Sequence, residues 1–209
     1  MKKKLSFRKN RISSKAGVCL MAALASISMV GCGSASKEEE TVVSISKEGT
    51  VSESIVESFD KSYYDEEELK QTILSEVAAY NREMQTGNIT VEKIEVKDSM
   101  ATVEMTYASV ADYEGFQGGV FFLGTAQEAQ DAGYDLNTVL SGTQNELETI
   151  GMSDMLAMTD YQILITDKKE TVELNGKAAY VSDNVTVSKN LKTVTVAEEI
   201  EQLAYVMYR

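Results

Sequence analysis

Residues 41–84 read TVVSISKEGTVSESIVESFDKSYYDEEELKQTILSEVAAYNREM and place two short β-type runs directly before one long helical pattern. The two runs are rich in β-branched residues and flank the tripeptide Lys47-Glu48-Gly49. Glycine tolerates the positive φ that a tight hairpin loop requires, so this half of the stretch predicts a β-hairpin over 41–59.

The helical half of the stretch has a clear start and one apolar face. Asp65 is placed to cap the helix, and Glu68 stands three residues later as its capping-box partner. The apolar residues that follow recur at spacings of 4, 4, 3 and 4, which puts them on one side of a helix. They are Leu69, Ile73, Val77, Tyr80 and Met84.

Downstream of this helix the pattern is again one of short strands and short helices. A second hairpin is predicted over 89–107, around Lys97-Asp98-Ser99. Ser109 and Thr125 are predicted to cap two short helices in SVADYEGF and TAQEAQDAG, and the run GGVFFLG between them predicts a buried strand. Residues 135–160 carry little pattern beyond one or two helical turns around SDMLAM.

The C-terminal third consists of six short β-rich runs, YQILITD, ETVEL, KAAYVSD, NVTV, KTVTV and LAYVMY, which predict an antiparallel meander. Strands that are grouped together, rather than alternating with helices, predict an α+β fold. We expect an antiparallel sheet packed by one main amphipathic helix plus short helices. No Pro- or Gly-rich linker interrupts 41–209, so this range is predicted to be a single domain.

The N-terminal residues have the pattern of an export signal. Seven basic residues and no acid stand in the first fifteen, followed by the mostly apolar run 17–30, which is shorter than the roughly 20 residues needed to span a bilayer. Next comes Met29-Val30-Gly31-Cys32, which resembles the lipobox of bacterial lipoproteins. Two alternatives remain open: ordinary signal cleavage after Ala35, and an uncleaved anchor over 16–36.

The lipobox resemblance has consequences for processing and location. It implies that residues 1–31 are removed and that Cys32 is lipidated, which anchors the protein in the membrane on its extracytoplasmic face. Residues 32–40 then form the lipidated cysteine and a flexible tether. The stretch ISKEGTVSESIVESFDKSYYDEEELK (45–70) is similar to uncharacterised surface lipoproteins of Gram-positive gut bacteria, a resemblance that implies a Gram-positive cell surface but no activity.

The residue types exclude most catalytic chemistry. The chain has no histidine, and its two cysteines are Cys19, inside the leader, and Cys32. Ser-His-Asp hydrolysis, Cys-His proteolysis and zinc or haem held by histidine are therefore excluded. The S-x-x-K match from Ser44 to Lys47 falls in a predicted hairpin, whereas that motif belongs at a helix start. We expect no cofactor and no enzymatic activity.

The charge of the chain is strongly acidic and uneven. Removal of 1–31 leaves 13 basic and 33 acidic side chains, a net charge of −20, and 98–167 holds twelve acids without a base. Such a field repels phosphate backbones, which argues against nucleic acid as a partner. A divalent cation stays possible, although DAGYDLN, with Asp131, Asp135 and Asn137, is sparser than a calcium loop.

Tyr63 and Tyr64 directly precede the helix cap and are the candidate interaction residues. Tyrosine offers contact area plus a hydroxyl, but one ring of such a pair also commonly packs under the helix start. The function expected first is non-enzymatic binding of another envelope component. The alternatives are a cation- or small-ligand-binding accessory lipoprotein of a transport system, and a carboxylate enzyme on cell-surface polymers. The sign of that enzyme would be two facing acids of raised pKa in a cleft.

Overall fold

The computed structural model describes residues 39–197 and 202–209 of the chain. These residues form thirteen strands and four helices. The strands are β1 (Glu40–Ile45), β2 (Val51–Ser58), β3 (Ile89–Lys97), β4 (Met100–Tyr107), β5 (Phe121–Gly124), β6 (Leu140–Gly142), β7 (Thr149–Ile150), β8 (Gln162–Thr166), β9 (Thr171–Glu173), β10 (Ala178–Val181), β11 (Val185–Val187), β12 (Thr193–Val196) and β13 (Ala204–Tyr208). The helices are α1 (Glu66–Glu83), α2 (Val110–Gln117), α3 (Ala126–Asp131) and α4 (Met152–Ala157).

The predicted leader 1–31 and the candidate lipidation residue Cys32 lie outside the described residues. Of the predicted tether 32–40, only Glu39 and Glu40 are described, and Glu40 is already the first residue of β1.

The α+β fold class is confirmed, with the strands in two mostly antiparallel sheets. The seven-stranded sheet has the order β11-β12-β9-β1-β2-β4-β3, and the six-stranded sheet has the order β5-β8-β13-β10-β6-β7. Both predicted hairpins are confirmed as β1–β2 and β3–β4. Asp98 and Ser99 form the second turn with φ values of 53° and 59°, the left-handed conformation that two-residue hairpin loops favour.

The main helix starts where the sequence predicts, but it buries less of its surface than the spacing suggests. Asp65 accepts a hydrogen bond of 2.9 Å from the backbone N–H of Glu68, which confirms the N-cap. Of the five residues on the predicted apolar face only Val77 is buried, and Met84 is exposed. The reason is position: α1 contacts β3, the outermost strand of the seven-stranded sheet, so only one narrow stripe meets the core.

The short helices α2 and α3 begin at their predicted caps. Ser109 accepts from the N–H of Asp112, and Thr125 forms a full capping box with Glu128. The turns expected around SDMLAM are α4. The strands β6 and β7 were not predicted, because their residues are few and include glycine and threonine rather than an apolar run.

The predicted C-terminal meander differs in connectivity from the structure. All six runs form strands, but β9, β11 and β12 join the seven-stranded sheet while β8, β10 and β13 join the six-stranded sheet. In addition, β9 pairs in parallel with β1, with Val172 opposite Val43. An apolar run specifies which residues are buried, but it does not specify the strand beside it, so this part of the prediction was wrong.

The two faces of the six-stranded sheet explain why its central strands are apolar throughout. On one face Leu164 and Val206 belong to a core shared with Val43 and Val103 of the seven-stranded sheet. On the other face Ile163, Ile165 and Met207 pack with α3 and α4 residues such as Ala129 and Met155. Successive side chains of a strand point to opposite faces, so both sets must be apolar.

Candidate functional site

A group of polar side chains is buried between β2, β4 and α2. The Glu53 side chain, 4% exposed, accepts hydrogen bonds at Oε2 from Tyr107 Oη at 2.6 Å and from Gln117 Nε2 at 2.7 Å. Gln117 Nε2 also donates to Tyr107 Oη at 2.9 Å. These three bonds tie two strands of the seven-stranded sheet to α2.

A second buried carboxyl group stands on the far side of Tyr113. Glu170, which is 7% exposed and directly precedes β9, accepts a 2.8 Å hydrogen bond at Oε2 from Tyr113 Oη. Its other oxygen, Oε1, has no hydrogen-bond partner among the described residues. The rings of Tyr107 and Tyr113 meet edge to face at 5.1 Å. The set Glu53, Tyr107, Tyr113, Gln117 and Glu170 is called the buried acid cluster below.

Burial makes both carboxyl groups of the cluster harder to ionise. Loss of water around Glu170 raises its pKa to about 7, although the bond from Tyr113 and the positive charge of Lys168 oppose the rise. Burial likewise raises the pKa of Glu53, against the bonds from Tyr107 and Gln117. Burial also raises the pKa of both tyrosines, which therefore remain neutral donors. The Lys168 ammonium lies 5.4 Å from the centre of the Tyr113 ring.

The buried acid cluster meets one requirement of the carboxylate-enzyme hypothesis and lacks the other. Two acids with raised pKa occur together, as acid–base catalysis requires. However, a substrate must come within hydrogen-bonding distance of a catalytic carboxyl group, and these two side chains are almost fully enclosed. In this arrangement the two carboxyl groups can bind or release protons as pH changes, and the hydrogen bonds of the cluster hold β2, β4 and α2 together.

The sequence contained one overlooked signal for this cluster. Glu53 stands between Val51 and Ile55 on the inward face of a predicted strand, so an acid occupies a position where alternation calls for an apolar residue. Glu170 had no comparable signal, because it belongs to a charged turn before a strand of only three residues.

The predicted interaction residues Tyr63 and Tyr64 lie in the connection between β2 and α1, together with Phe59. The rings of Tyr64 and Phe59 pack at a centre-to-centre distance of 4.8 Å, and Tyr63 meets Tyr64 edge on at 5.0 Å. Tyr64 is half-buried, whereas Tyr63 is 76% exposed. One ring thus packs and the other faces solvent. These three residues are called the aromatic surface below.

Acidic residues adjoin the aromatic surface along the chain. The first turn of α1 contains Glu66, Glu67 and Glu68, and the cap Asp65 precedes them. On the β2 side, the pKa of Glu57 is raised by burial and by the nearby carboxylate of Glu39.

A cleft of about 710 Å³ opens at the tip of the β1–β2 hairpin. Its lining includes Lys47, Ser109, Phe122, Asn175 and Tyr208, and no member of the buried acid cluster. The Tyr208 hydroxyl is buried without a hydrogen-bond partner in the described part of the chain, and burial raises its pKa to about 12.

The other sequence candidates have structural roles. Ser44 donates a hydrogen bond to Glu173, and Lys47 lies in the hairpin loop rather than at a helix start. Asp135 accepts from the backbone N–H of Asn137 in a turn, and Asp131 accepts from Gln127. Within 39–197 and 202–209, no group of three or more Asp, Glu, Cys or His side chains is arranged to hold a metal ion.

Comparisons with protein-family models, curated proteins and solved structures found no significant match. Among the described residues, no helix has both the length and the apolar character that crossing a membrane requires.

Proposed function

We propose that this chain is a lipid-anchored, non-enzymatic binding protein on the extracytoplasmic face of a Gram-positive cell membrane, and that it holds another envelope component at the aromatic surface. The observation that carries the binding role is Tyr63, a large ring that is 76% exposed although it is fixed against a neighbouring ring. A tyrosine held in this way offers contact area with little loss of conformational entropy on binding.

The position of the aromatic surface supports this proposal. Glu40 pairs with Val56 at the beginning of β1, and Glu39 accepts a 3.2 Å hydrogen bond from the backbone N–H of Ser58. The chain therefore enters the domain one residue away from Phe59. Residues 33–38, if fully extended, reach roughly 20 Å from a lipidated Cys32. The anchor that we propose at Cys32 would therefore keep this surface close to the membrane, where an envelope partner can meet it.

The anchor is tested by replacing Cys32 with serine in the full-length chain expressed in a Gram-positive host. We expect the wild-type chain to incorporate an alkyne-labelled fatty acid and to stay in the membrane fraction after a carbonate wash. Cys32→Ser should lose the label and the membrane retention. Protease added to intact cells should digest the wild-type domain. Equal labelling of both chains, or protection of the wild-type domain from protease, would contradict the anchor.

A second candidate function, small-ligand capture by an accessory lipoprotein, is favoured by the cleft at the β1–β2 hairpin. Its specific support is the volume of the cleft, about 710 Å³, which is in the range of small-ligand sites, with the polar residues Lys47 and Asn175 in its lining. A captured molecule would be detected by native mass spectrometry of the full-length protein as added mass that is released on denaturation. A spectrum of the bare chain mass would count against this candidate.

A further inference from the structure

We propose that the aromatic surface binds a lysine- or arginine-rich segment of an envelope protein. This inference rests on the proposed binding function and adds the chemistry of the partner. Its basis is the combination of an open tyrosine ring with an excess of carboxylates in the residues that adjoin it along the chain.

The ring geometry suits a cation. The planes of Tyr63 and Tyr64 are 76° apart with their centres at 5.0 Å, and most of the Tyr63 side chain faces solvent. A Lys or Arg group within about 6 Å of the centre of such a ring is attracted by its π electrons. The face of the ring is negative, so it does not attract an anionic ligand.

The local charge also favours a cationic partner. Two salt bridges in this region contribute no net charge: Lys61 Nζ lies 2.8 Å from Asp60, and Lys70 Nζ lies 2.6 Å from Glu66. Asp65, Glu67 and Glu68 stand on the same turn, and no salt bridge reaches any of them in the described part of the chain. The α1 dipole offsets part of this charge, since its positive end is here. Three carboxylates still exceed the partial charge of one helix end.

Lys61 is already paired within the chain. Its ammonium is bound to Asp60, and that hydrogen bond and charge raise its pKa. A basic segment from outside would therefore meet the Tyr63 ring and the carboxylates of Asp65, Glu67 and Glu68, which form no salt bridge in the described part of the chain.

The alternative occupant of the aromatic surface is the membrane, because tyrosines are also enriched at the level of the lipid headgroups. The carboxylates Asp65, Glu67 and Glu68 disfavour it, since anionic headgroups would be repelled by the charges that attract a basic peptide. The observations therefore favour a basic protein segment over a lipid surface.

The test uses the full-length acylated chain in nanodiscs of zwitterionic phosphatidylcholine. The probe is a fluorescein-labelled octapeptide of alternating lysine and glycine, followed by fluorescence anisotropy, with an alternating glutamate–glycine peptide as the negative control. We expect saturable binding of the lysine peptide alone, and weaker binding as salt is raised. Tyr63→Ala should weaken binding by about 2- to 5-fold, the range for an exposed cation–π contact. The double variant Glu67→Gln/Glu68→Gln should also weaken it.

Matched controls come from the loop between β6 and β7. Leu147→Ala removes a side chain that is 93% exposed, and Glu146→Gln removes an exposed carboxylate, both outside the aromatic surface. Neither should change the affinity. Equal weakening by the control variants, or no weakening by Tyr63→Ala, would overturn the proposal. Tyr63 is so exposed that its replacement should leave the fold intact.

Hydrogen exchange measured with and without the peptide locates the contact. Slower exchange within 59–68 supports the proposal, whereas slowing spread over the acidic range 98–167 would show non-specific attraction and overturn it. If the amide hydrogens of 59–68 exchange slowly in nanodiscs before the peptide is added but fast in detergent, the bilayer occupies the aromatic surface and the proposal is overturned. Peptide binding by a chain that proves to be unacylated would support this surface and contradict only the anchor.

Discussion

At the scale of single residues, the most unusual feature of the molecule is two carboxyl groups placed where apolar side chains are expected. Glu53 and Glu170 are both buried, and each accepts a hydrogen bond from a tyrosine hydroxyl. Such groups are tolerated because the neutral acid has a much smaller desolvation penalty than the carboxylate. Folding therefore makes Glu170 keep its proton over a range of pH in which the unfolded chain would release it.

This proton makes stability depend on pH in a defined direction. The pKa of Glu170 is raised from 4.5 to about 7 by folding, so its stabilising effect is complete below about pH 4.5 and is lost as pH rises through about 7. Glu170→Gln keeps a neutral side chain at every pH. We expect the difference in unfolding free energy, wild type minus variant, to fall by about 2–3 kcal/mol between pH 4.5 and pH 8.

Urea unfolding at four pH values in that interval measures this difference. Glu146→Gln, which removes an exposed carboxylate, is the control and should follow the wild-type curve. The comparison cancels the general effect of net charge, which acts on all three chains. Parallel curves for wild type and Glu170→Gln would mean that Glu170 is ionised inside the fold.

At the scale of elements, α1 shows how little of a well-patterned helix needs to be buried. Its end is joined to the outer strand by Asn81, whose side chain donates to the carbonyl of Ile89 and accepts from its N–H. On its inner side Tyr80 meets Phe116 edge to face at 5.6 Å and passes close to Gly115 of α2. The helices α1 and α2 can thus approach each other closely here because Gly115 has no side chain.

A substitution pair tests this contact. A Cβ at Gly115 would stand 2.6 Å from the Tyr80 hydroxyl oxygen but 3.5 Å from the ring carbon that bears it. Gly115→Ala should therefore destabilise the protein by about 1–2 kcal/mol, because overpacking outweighs the gain in helix propensity inside α2. The Tyr80 hydroxyl is buried without a partner in the described residues, so Tyr80→Phe should be neutral or mildly stabilising.

The informative result is the double variant, measured by chemical denaturation beside both single variants. Tyr80→Phe removes the oxygen that the new methyl group would strike, so it should recover most of the stability lost in Gly115→Ala. If the two effects simply add, the close approach is relieved in another way and the proposed clash is wrong.

At the scale of the whole molecule, the most general property is a strongly acidic net charge. The mature chain predicted from the lipobox carries a net charge of −20, and the described residues contain no group of three ligands placed for a metal ion. Repulsion among dispersed carboxylates is weakened by any salt.

We expect the thermal midpoint of a soluble fragment covering 37–209 to rise equally in calcium chloride and in sodium chloride at matched ionic strength. Both salts should act by screening, without saturation at low concentration. A saturable increase specific to calcium would contradict this expectation and would show that acids converge on a cation in solution.

Much of the secondary structure and little of the site can be predicted from the residues in order. Hairpins, caps and the main helix depend on neighbours a few positions apart, so residues such as Gly49, Asp65, Ser109 and Thr125 mark them in the sequence. The position of Tyr63 and Tyr64 directly before the helix cap is likewise visible in the sequence. By contrast, no local pattern indicates that Tyr113 and Glu170, which are 57 positions apart, share a hydrogen bond.

The range of the forces involved explains why some features can be predicted from the sequence and others cannot. Backbone conformation, capping and the periodicity of burial are set within one or two turns of chain, and they define the α+β class and its elements. Which strands become neighbours depends on how apolar faces fill a common core. Only the folded chain therefore decides that β9 lies beside β1 and that the C-terminal strands divide between two sheets. The same holds for the burial of Glu53 and Glu170, both of which are hydrogen-bonded to side chains of α2.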